Sequence, residues 1–156
     1  MRVALLSVGT RMPGWVREGY EEYSRRLQAR LPVALVELAP GKRTAGGDEA
    51  RAIADEGKRL LAGIKADDYV VALDERGKQR STLELSAWLQ ERQRDGRSLT
   101  FLIGGPDGYA PEVRGRAQET WSLSRLTLPH ALVRVLFIEQ LYRAVTILDG
   151  HPYHRE

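Results

Sequence analysis

The six C-terminal residues 151–156, HPYHRE, hold two of the chain's three histidines together with a tyrosine and an arginine. Imidazole can act as a base near neutral pH, while aromatic rings and guanidinium groups stack on bases and bind phosphates. The third histidine, His130, directly follows Pro129. Three histidines could form a zinc site, but the chain has no HExxH pattern and Pro152 separates the two tail histidines. We therefore predict no metal.

A second candidate for chemistry is the segment IGGPDG, residues 103–108, in which residues 104–108 form what we call the glycine loop. Glycines at the C-terminal end of a strand let backbone N–H groups approach a ligand closely, and ligands of α/β sheets bind at that edge. The Gly-Lys-Ser/Thr ending of a phosphate loop and the Gly-x-Gly-x-x-Gly dinucleotide pattern are both absent. The segment is either a tight turn or a loop for a ligand held without phosphate contacts.

Five short apolar runs bounded by turn residues predict the strands that position these segments. They cover residues 3–9, 33–40, 69–75, 99–105 and 123–129. Several lack strict alternation, which favours a parallel sheet covered on both faces. Helical periodicity predicts helices at 13–31, 48–64, 82–94 with Gly96 as a stop signal, a short one from Pro111, and one at 130–148. The whole chain, residues 1–156, is predicted to form a single α/β domain.

The last predicted helix, residues 130–148, has no broad polar face. Such a helix must be buried on nearly all sides. Two interpretations remain open: a central helix of the core, or a helix that contributes part of its surface to a homodimer interface.

Composition narrows the class of protein. The 156 residues are 42% hydrophobic and 29% charged, as in a soluble globular domain, and they include no cysteine. No disulfide or thiolate metal site can form, and neither an export signal nor a membrane span is recognisable. We therefore expect a cytoplasmic protein with no membrane partner. The net charge of +3 is compatible with binding to nucleic acid.

Five segments together resemble the RlmH family of SPOUT-class methyltransferases. They are IGGPDG (103–108), SLSRLTLPHALVRVLFIEQLYRA (122–144), HPYHRE (151–156), VALDERGK (71–78) and VGTRMPGWVREGYEEYSRR (8–26). The resemblance spans essentially the whole chain, in order. It implies a SPOUT-type (α/β knot) domain with a mainly parallel sheet flanked by helices and a C-terminal deep trefoil knot. It also implies a homodimer that binds S-adenosylmethionine.

The activity implied by the resemblance is methylation of N3 of a pseudouridine in a hairpin loop of 23S ribosomal RNA, on the assembled ribosome. The reaction needs no metal. Two alternatives stay open: a non-catalytic ribosome-binding or RNA-binding assembly factor, and a metal-dependent RNA hydrolase.

The same resemblance nominates the site residues. The cofactor pocket should be built from Leu73, Gly104, Leu123, Ser124, Arg125, Leu126, Thr127 and Leu128. Candidates for promoting loss of the N3 proton are His130, His154 and Arg155. Arg134 and Tyr153 are expected to orient the base or its phosphate, and Lys42, Arg43 and Arg11 are possible phosphate contacts.

Overall fold

Strands and helices alternate along the chain in the computed structural model, which describes residues 1–45 and 47–155. Gly46, between β2 and α2, and Glu156, in the C-terminal tail, lie outside the described residues. The elements are β1 Val3–Val8, α1 Gly14–Leu27, β2 Val33–Leu38, α2 Glu49–Ala62, β3 Tyr69–Gln79, α3 Thr82–Asp95, β4 Leu99–Ile103, α4 Pro111–Arg116, β5 Glu119–Ser122, α5 His130–Asp149 and a 3₁₀ helix Pro152–Arg155.

The five strands form one sheet in the order β2-β1-β4-β3-β5, and every neighbouring pair is parallel. Helices α1, α3 and α5 cover one face, and α2 and α4 cover the other. All residues of β1 and β4 are buried, as expected for strands covered on both sides. The predicted α/β fold, with a parallel sheet between helices, is confirmed.

Local capping explains where several helices begin and end. Ser81 and Glu84 form a reciprocal capping box at the start of α3, and Gly96 ends that helix in the left-handed conformation. The Asp48 side chain accepts a hydrogen bond from the amide of Ala50 at the start of α2. Pro111 occupies the first turn of α4. The predicted stop at Gly96 and start at Pro111 are therefore both confirmed.

The predicted fifth strand at 123–129 is wrong. Strand β5 ends at Ser122, and the following residues form a loop. The Ser122 hydroxyl donates to the carbonyl of Ser124, and the Leu126 amide donates to the Ser124 hydroxyl. Such local side-chain bonds to the backbone compete with the ladder of a sheet. The apolar side chains of this stretch consequently lie in a loop that lines a cavity.

Helix α5 is buried along its C-terminal half, but its N-terminal half is partly open. Leu141, Ala144 and Val145 are buried against the sheet and neighbouring helices, whereas Leu136 is 37% exposed. The C-terminal half of α5 therefore belongs to the core, and a homodimer interface on its N-terminal half stays a prediction. Helices α1 and α5 run side by side in parallel, so that Arg30 near the end of α1 pairs with Asp149 at 2.6 Å.

Within residues 1–45 and 47–155, no helix combines the length and the apolar character needed to cross a bilayer. The trefoil knot implied by the resemblance stays a prediction.

Candidate cofactor and substrate site

A cavity of about 370 Å³ lies beyond the ends of β4 and β5 and beside Leu73, Asp74 and Glu75 in the middle of β3. These residues of β3, the loops after β4 and β5 and the first turn of α5 form its wall. The lining residues are Leu73, Asp74, Glu75, Ile103, Gly104, Gly105, Pro106, Gly108, Tyr109, Trp121, Ser122, Leu123, Ser124, Leu126, Thr127, Leu128, Pro129, His130 and Val133. Both the volume and the position at the C-terminal edge of a parallel sheet are typical of small-molecule sites.

Seven of the eight residues predicted to bind the cofactor line this cavity. Only Arg125, whose side chain is exposed, is absent from the wall. Sequence reasoning missed the acidic pair Asp74 and Glu75 and the aromatic residues Tyr109 and Trp121. Asp74 pairs with Arg114 at 2.8 Å, which fixes the first of these carboxylates.

The buried hydroxyl of Tyr109 joins strands β3 and β4 to the glycine loop. Its oxygen lies 2.7 Å from the carbonyl oxygen of Leu73 and 2.8 Å from that of Leu102, and it accepts from the Gly104 amide at 3.1 Å. Burial raises the pKa of Tyr109, so the hydroxyl keeps its proton. Leu73 and Gly104, both predicted cofactor residues, are thus fixed relative to each other.

Gly104 lies close to the same ring. A Cβ atom at this position would lie 3.0 Å from Cε1 of Tyr109, closer than side chains normally pack. The loop then closes on itself through a bridge between Gly105 and Gly108, and Gly108 has a φ of +88°. Glycines are required here for close approach to Tyr109 and for a left-handed turn.

His130 reaches the cavity from the first turn of α5, next to the end of β1. A Cβ atom on Gly9 would lie 3.7 Å from Nε2 of His130 and 2.8 Å from Cε of Met12, and Gly9 has a φ of +128°. The glycine therefore gives the imidazole and the following loop room to approach each other.

Arg134 lies one turn beyond His130 but points into the protein. Its side chain is 2% exposed and pairs with Glu37 at 2.6 Å. It also donates to the Ser7 hydroxyl at 2.8 Å and to the Gly9 carbonyl at 3.2 Å. Arg134 cross-links α5 to β1 and β2 and has no surface with which to contact RNA. This corrects the expectation that it orients the substrate directly.

The C-terminal tail folds back on α5. Gly150, with a φ of +71°, turns the chain, and the His151 amide donates to the carbonyl of Thr146 at 2.9 Å. The Tyr153 hydroxyl then donates to Glu139 at 3.0 Å, and its ring packs 4.7 Å from the Tyr142 ring. These contacts anchor the tail on the body of the domain.

Tyr153 is held between charges as well as rings. The Arg143 guanidinium lies 4.8 Å from the centroid of its ring. Burial, together with the neighbouring Tyr23 and Glu139, raises the pKa of Tyr153. Beyond it, Nδ1 of His154 is buried and has no hydrogen-bond partner among the residues that the structure describes, whereas Arg155 is exposed.

The tail and the cavity lie apart within one copy of the chain. The cavity wall, as far as the structure describes it, includes no tail residue. The tail contacts α5 between Glu139 and Thr146, whereas His130 and Val133 border the cavity. At a rise of about 1.5 Å per residue, Glu139 is roughly 9 to 14 Å along the helix from them. Within one copy, therefore, Tyr153, His154 and Arg155 do not lie beside the residues predicted to bind the cofactor.

The three cations predicted to contact phosphates differ in their surroundings. Arg11 and Lys42 are exposed. Arg43 instead donates to Glu56 at 2.7 Å and to Asp107 at 2.8 Å. These contacts make Arg43 part of an internal network. Within residues 1–45 and 47–155, no three His, Asp or Glu side chains are arranged to share a metal ion.

A family model described as "Predicted SPOUT methyltransferase" matches residues 1–154. The chain belongs to the SPOUT methyltransferase family. The resemblance seen in the sequence motifs is thereby confirmed over nearly the whole length of the chain.

Curated relatives of this SPOUT protein carry the name "Ribosomal RNA large subunit methyltransferase H". The protein from Methylococcus capsulatus (strain Bath) is 54% identical over 155 residues, which cover 99% of this chain and 100% of the relative. That from Alkalilimnicola ehrlichii is 53% identical, with 99% of each chain covered. That from Stenotrophomonas maltophilia (strain R551-3) is 50% identical, again over 99% of each chain.

The SPOUT chain thus brings a predicted catalytic residue, His130, to the residues predicted to bind the cofactor. The glycine loop and the segment 123–128 share one cavity with Leu73 and His130. Tyr109 could have been found from the sequence, because it is a large residue with a polar tip directly after three glycines. Its hydrogen bonds to the carbonyl groups of Leu73 and Leu102 could not have been found in this way, because they depend on the tertiary structure.

Proposed function

We propose that this protein transfers a methyl group from S-adenosylmethionine to N3 of a pseudouridine in a hairpin loop of 23S ribosomal RNA on the assembled ribosome. The observation that carries the proposal is the single cavity formed by Leu73, the glycine loop and residues 123–128 in a SPOUT methyltransferase. Relatives about half identical to the chain are named for methylation of large-subunit ribosomal RNA.

The cavity suits S-adenosylmethionine, which supplies the methyl group when bound. Leu73, Ile103 and Leu128 give apolar walls that can flank a flat ring. Backbone groups of Leu73, the glycine loop and residues 123–128 could bond the edge of an adenine. Glycine at position 104 lets the Tyr109 ring lie against the loop, because a Cβ atom there would lie 3.0 Å from Cε1 of that ring. These residues would hold the cofactor without phosphate contacts, consistent with the absence of a phosphate loop.

The protein's part in the reaction is alignment and proton removal. Methyl transfer from a sulfonium is an in-line displacement, and positioning of this kind can contribute up to roughly 7 to 11 kcal/mol. Pseudouridine N3 carries an imide proton that must leave before or during attack. His130 borders the cavity and can accept this proton, and His154 and Arg155 are candidates for stabilising the resulting negative charge.

We infer that a homodimer completes the site. Leu132, Val135 and Leu136 share one face of α5 with Glu139, to which the tail is bonded, and Leu136 is exposed. If a two-fold axis passes near Leu136, the α5 helices of the two copies cross there in antiparallel orientation. The tail beside Tyr142 of one copy would then face His130 of the other. The knotted C-terminal segment implied by the family would hold both parts in place.

The decisive experiment is methyl transfer from labelled S-adenosylmethionine to ribosomes that lack the modification. We expect label at a pseudouridine of 23S RNA. Leu126→Ala, at the cavity mouth, should weaken cofactor binding several-fold. Leu83→Ala on α3 is the matched control, because the two leucines are 74% and 68% exposed. Ribosome binding without transfer would instead support the non-catalytic assembly factor, and a monomer in analytical ultracentrifugation would contradict the shared site.

A further inference from the structure

The glycine loop is tied to α2 and to the loop before α2 by a charged bridge. Arg43, in the loop between β2 and α2, donates from Nε to Asp107 at 2.8 Å. The same guanidinium donates from NH1 to Glu56 of α2 at 2.7 Å. One arginine therefore connects the loop before α2, helix α2 itself and Asp107 of the glycine loop, whose neighbours Pro106 and Gly108 line the cavity.

Glu56 is the fixed end of this bridge. Its side chain is 2% exposed, and it also accepts a hydrogen bond from the Gly41 amide at 2.9 Å. A buried carboxylate needs both a counter-charge and hydrogen bonds. Arg43 and Gly41 supply them, so Glu56 has a satisfied and well-defined position.

The glycine loop touches this fixed end directly. A Cβ atom on Gly105 would lie 2.6 Å from Oε1 of Glu56, so only glycine allows the observed approach. Gly41 is equally constrained, because a Cβ atom there would lie 2.3 Å from the Ala52 carbonyl oxygen. Three separate segments thus meet at contacts that tolerate little displacement.

We propose that Arg43 is a positioning residue, which holds the glycine loop in its cofactor-binding shape by bridging Asp107 to Glu56. Tyr109 fixes the first residue of the loop, and the bridge fixes its tip at Asp107. This inference rests on the proposed cofactor cavity and reassigns Arg43 from the RNA surface to the support of that cavity.

The geometry of the bridge calls for arginine rather than for positive charge alone. The N–H bonds of the planar guanidinium point in fixed directions. Nε can therefore donate to one carboxylate while a terminal nitrogen donates to another. Lysine at position 43 would keep the charge and could still pair with the buried Glu56. It could not span to Asp107 in the same conformation, so the tip of the loop would be released.

The test is the dissociation constant for S-adenosylmethionine, measured by calorimetry on the full-length protein. Arg43→Lys removes the guanidinium that spans to Asp107, and Asp107→Asn weakens the bridge by removing its negative charge; Arg25→Lys, in an exposed ion pair with Glu22, is the matched control. We expect both bridge variants to weaken binding roughly tenfold, as for loss of a charged hydrogen bond. The double variant should be no weaker than either, and the control should match the wild type.

A role that is only structural would lower the urea midpoint of both bridge variants and leave the dissociation constant of the folded protein unchanged, which would overturn the proposal. Wild-type affinity in Asp107→Asn with loss only in Arg43→Lys would overturn it too. If the wild-type protein itself does not bind S-adenosylmethionine, the proposed function fails. The wild-type dissociation constant alone distinguishes that result from the results of the variants.

Discussion

The hydroxyl oxygen of Tyr109 lies 2.7 Å from the carbonyl oxygen of Leu73, and so couples the middle of β3 to the loop after β4. Because the same oxygen accepts from the Gly104 amide at 3.1 Å, one side chain sets the spacing of two cavity walls. The spacing is built from hydrogen bonds inside the domain and does not depend on a bound ligand.

Replacing this hydroxyl should cost both stability and cofactor affinity. In Tyr109→Phe the buried Gly104 amide loses its acceptor, and the free energy of unfolding should fall by about 1 to 3 kcal/mol. Urea denaturation measures this change. Tyr20→Phe is the matched control, because the buried Tyr20 hydroxyl has no partner within the described part of the chain. Equal losses in the two variants would contradict the role given to Tyr109.

Arg134 should prove to be a stability residue. Arg134→Met keeps the apolar stem but leaves the Ser7 hydroxyl and the Gly9 carbonyl without their donor. We expect a loss of about 2 to 4 kcal/mol in the free energy of unfolding. Glu37→Gln should cost less than Arg134→Met, about 1 to 2 kcal/mol, because glutamine can still accept the hydrogen bond but the buried Arg134 loses its counter-charge. Weakened RNA binding at unchanged stability in Arg134→Met would contradict this.

Glu119 is expected to make folding sensitive to acid. Burial alone would disfavour its charged form, but four hydrogen bonds outweigh burial and lower its pKa to about 2. The donors are Trp121, Tyr69, Trp88 and Arg80. A carboxyl whose pKa is lower in the folded state stabilises the fold above its unfolded pKa of 4.5, and this contribution is lost as the pH falls towards 2.

Glu119→Gln should therefore be less stable at pH 7, by roughly 3 kcal/mol, and should lose less stability than the wild type between pH 5 and pH 2. Unfolding free energies measured across this range give the slope. Glu91→Gln, an exposed position on α3, should keep the wild-type slope. An unchanged slope in Glu119→Gln would show that other carboxyl groups control acid unfolding.

Removal of the tail should separate binding from catalysis. A variant truncated after Gly150 keeps every residue of the cavity wall, so it should bind S-adenosylmethionine like the wild type. Methyl transfer should fall by about 100-fold or more, the scale of a lost acid–base group. The rates of methyl transfer by the wild-type and truncated proteins are compared at saturating S-adenosylmethionine. Undiminished transfer would exclude His154 and Arg155 from the reaction.

Mixing two inactive variants tests whether the subunits share their sites. The truncated chain offers an intact cavity, and His130→Ala offers an intact tail. If each site combines the cavity of one copy with the tail of the other, random pairing should restore about a quarter of the wild-type activity. No recovery, despite formation of mixed dimers, would place the tail and the cavity of one reaction in the same copy.

Sequence patterns predicted the five α-helices and four of the five strands, whereas the residues of the cofactor cavity were predicted from the family resemblance. Unbroken apolar runs predicted the parallel strands, and Gly96 and Pro111 marked the end of α3 and the start of α4. The pattern failed at 123–129, where the composition suits a strand. Ser122 and Ser124 turn the chain there through bonds to the backbone, and an apolar run alone does not reveal such competition.

The sequence by itself determined which chemical groups the protein has and, through its motifs, the family to which it belongs. Only the tertiary structure decided which of those groups are available. Arg43, Arg134 and Arg11 are the same residue type, yet the first bridges two carboxylates, the second is buried against β1 and the third is exposed. Partners far apart in the sequence set the environment of a charge, because Coulomb attraction and desolvation depend on distance and burial.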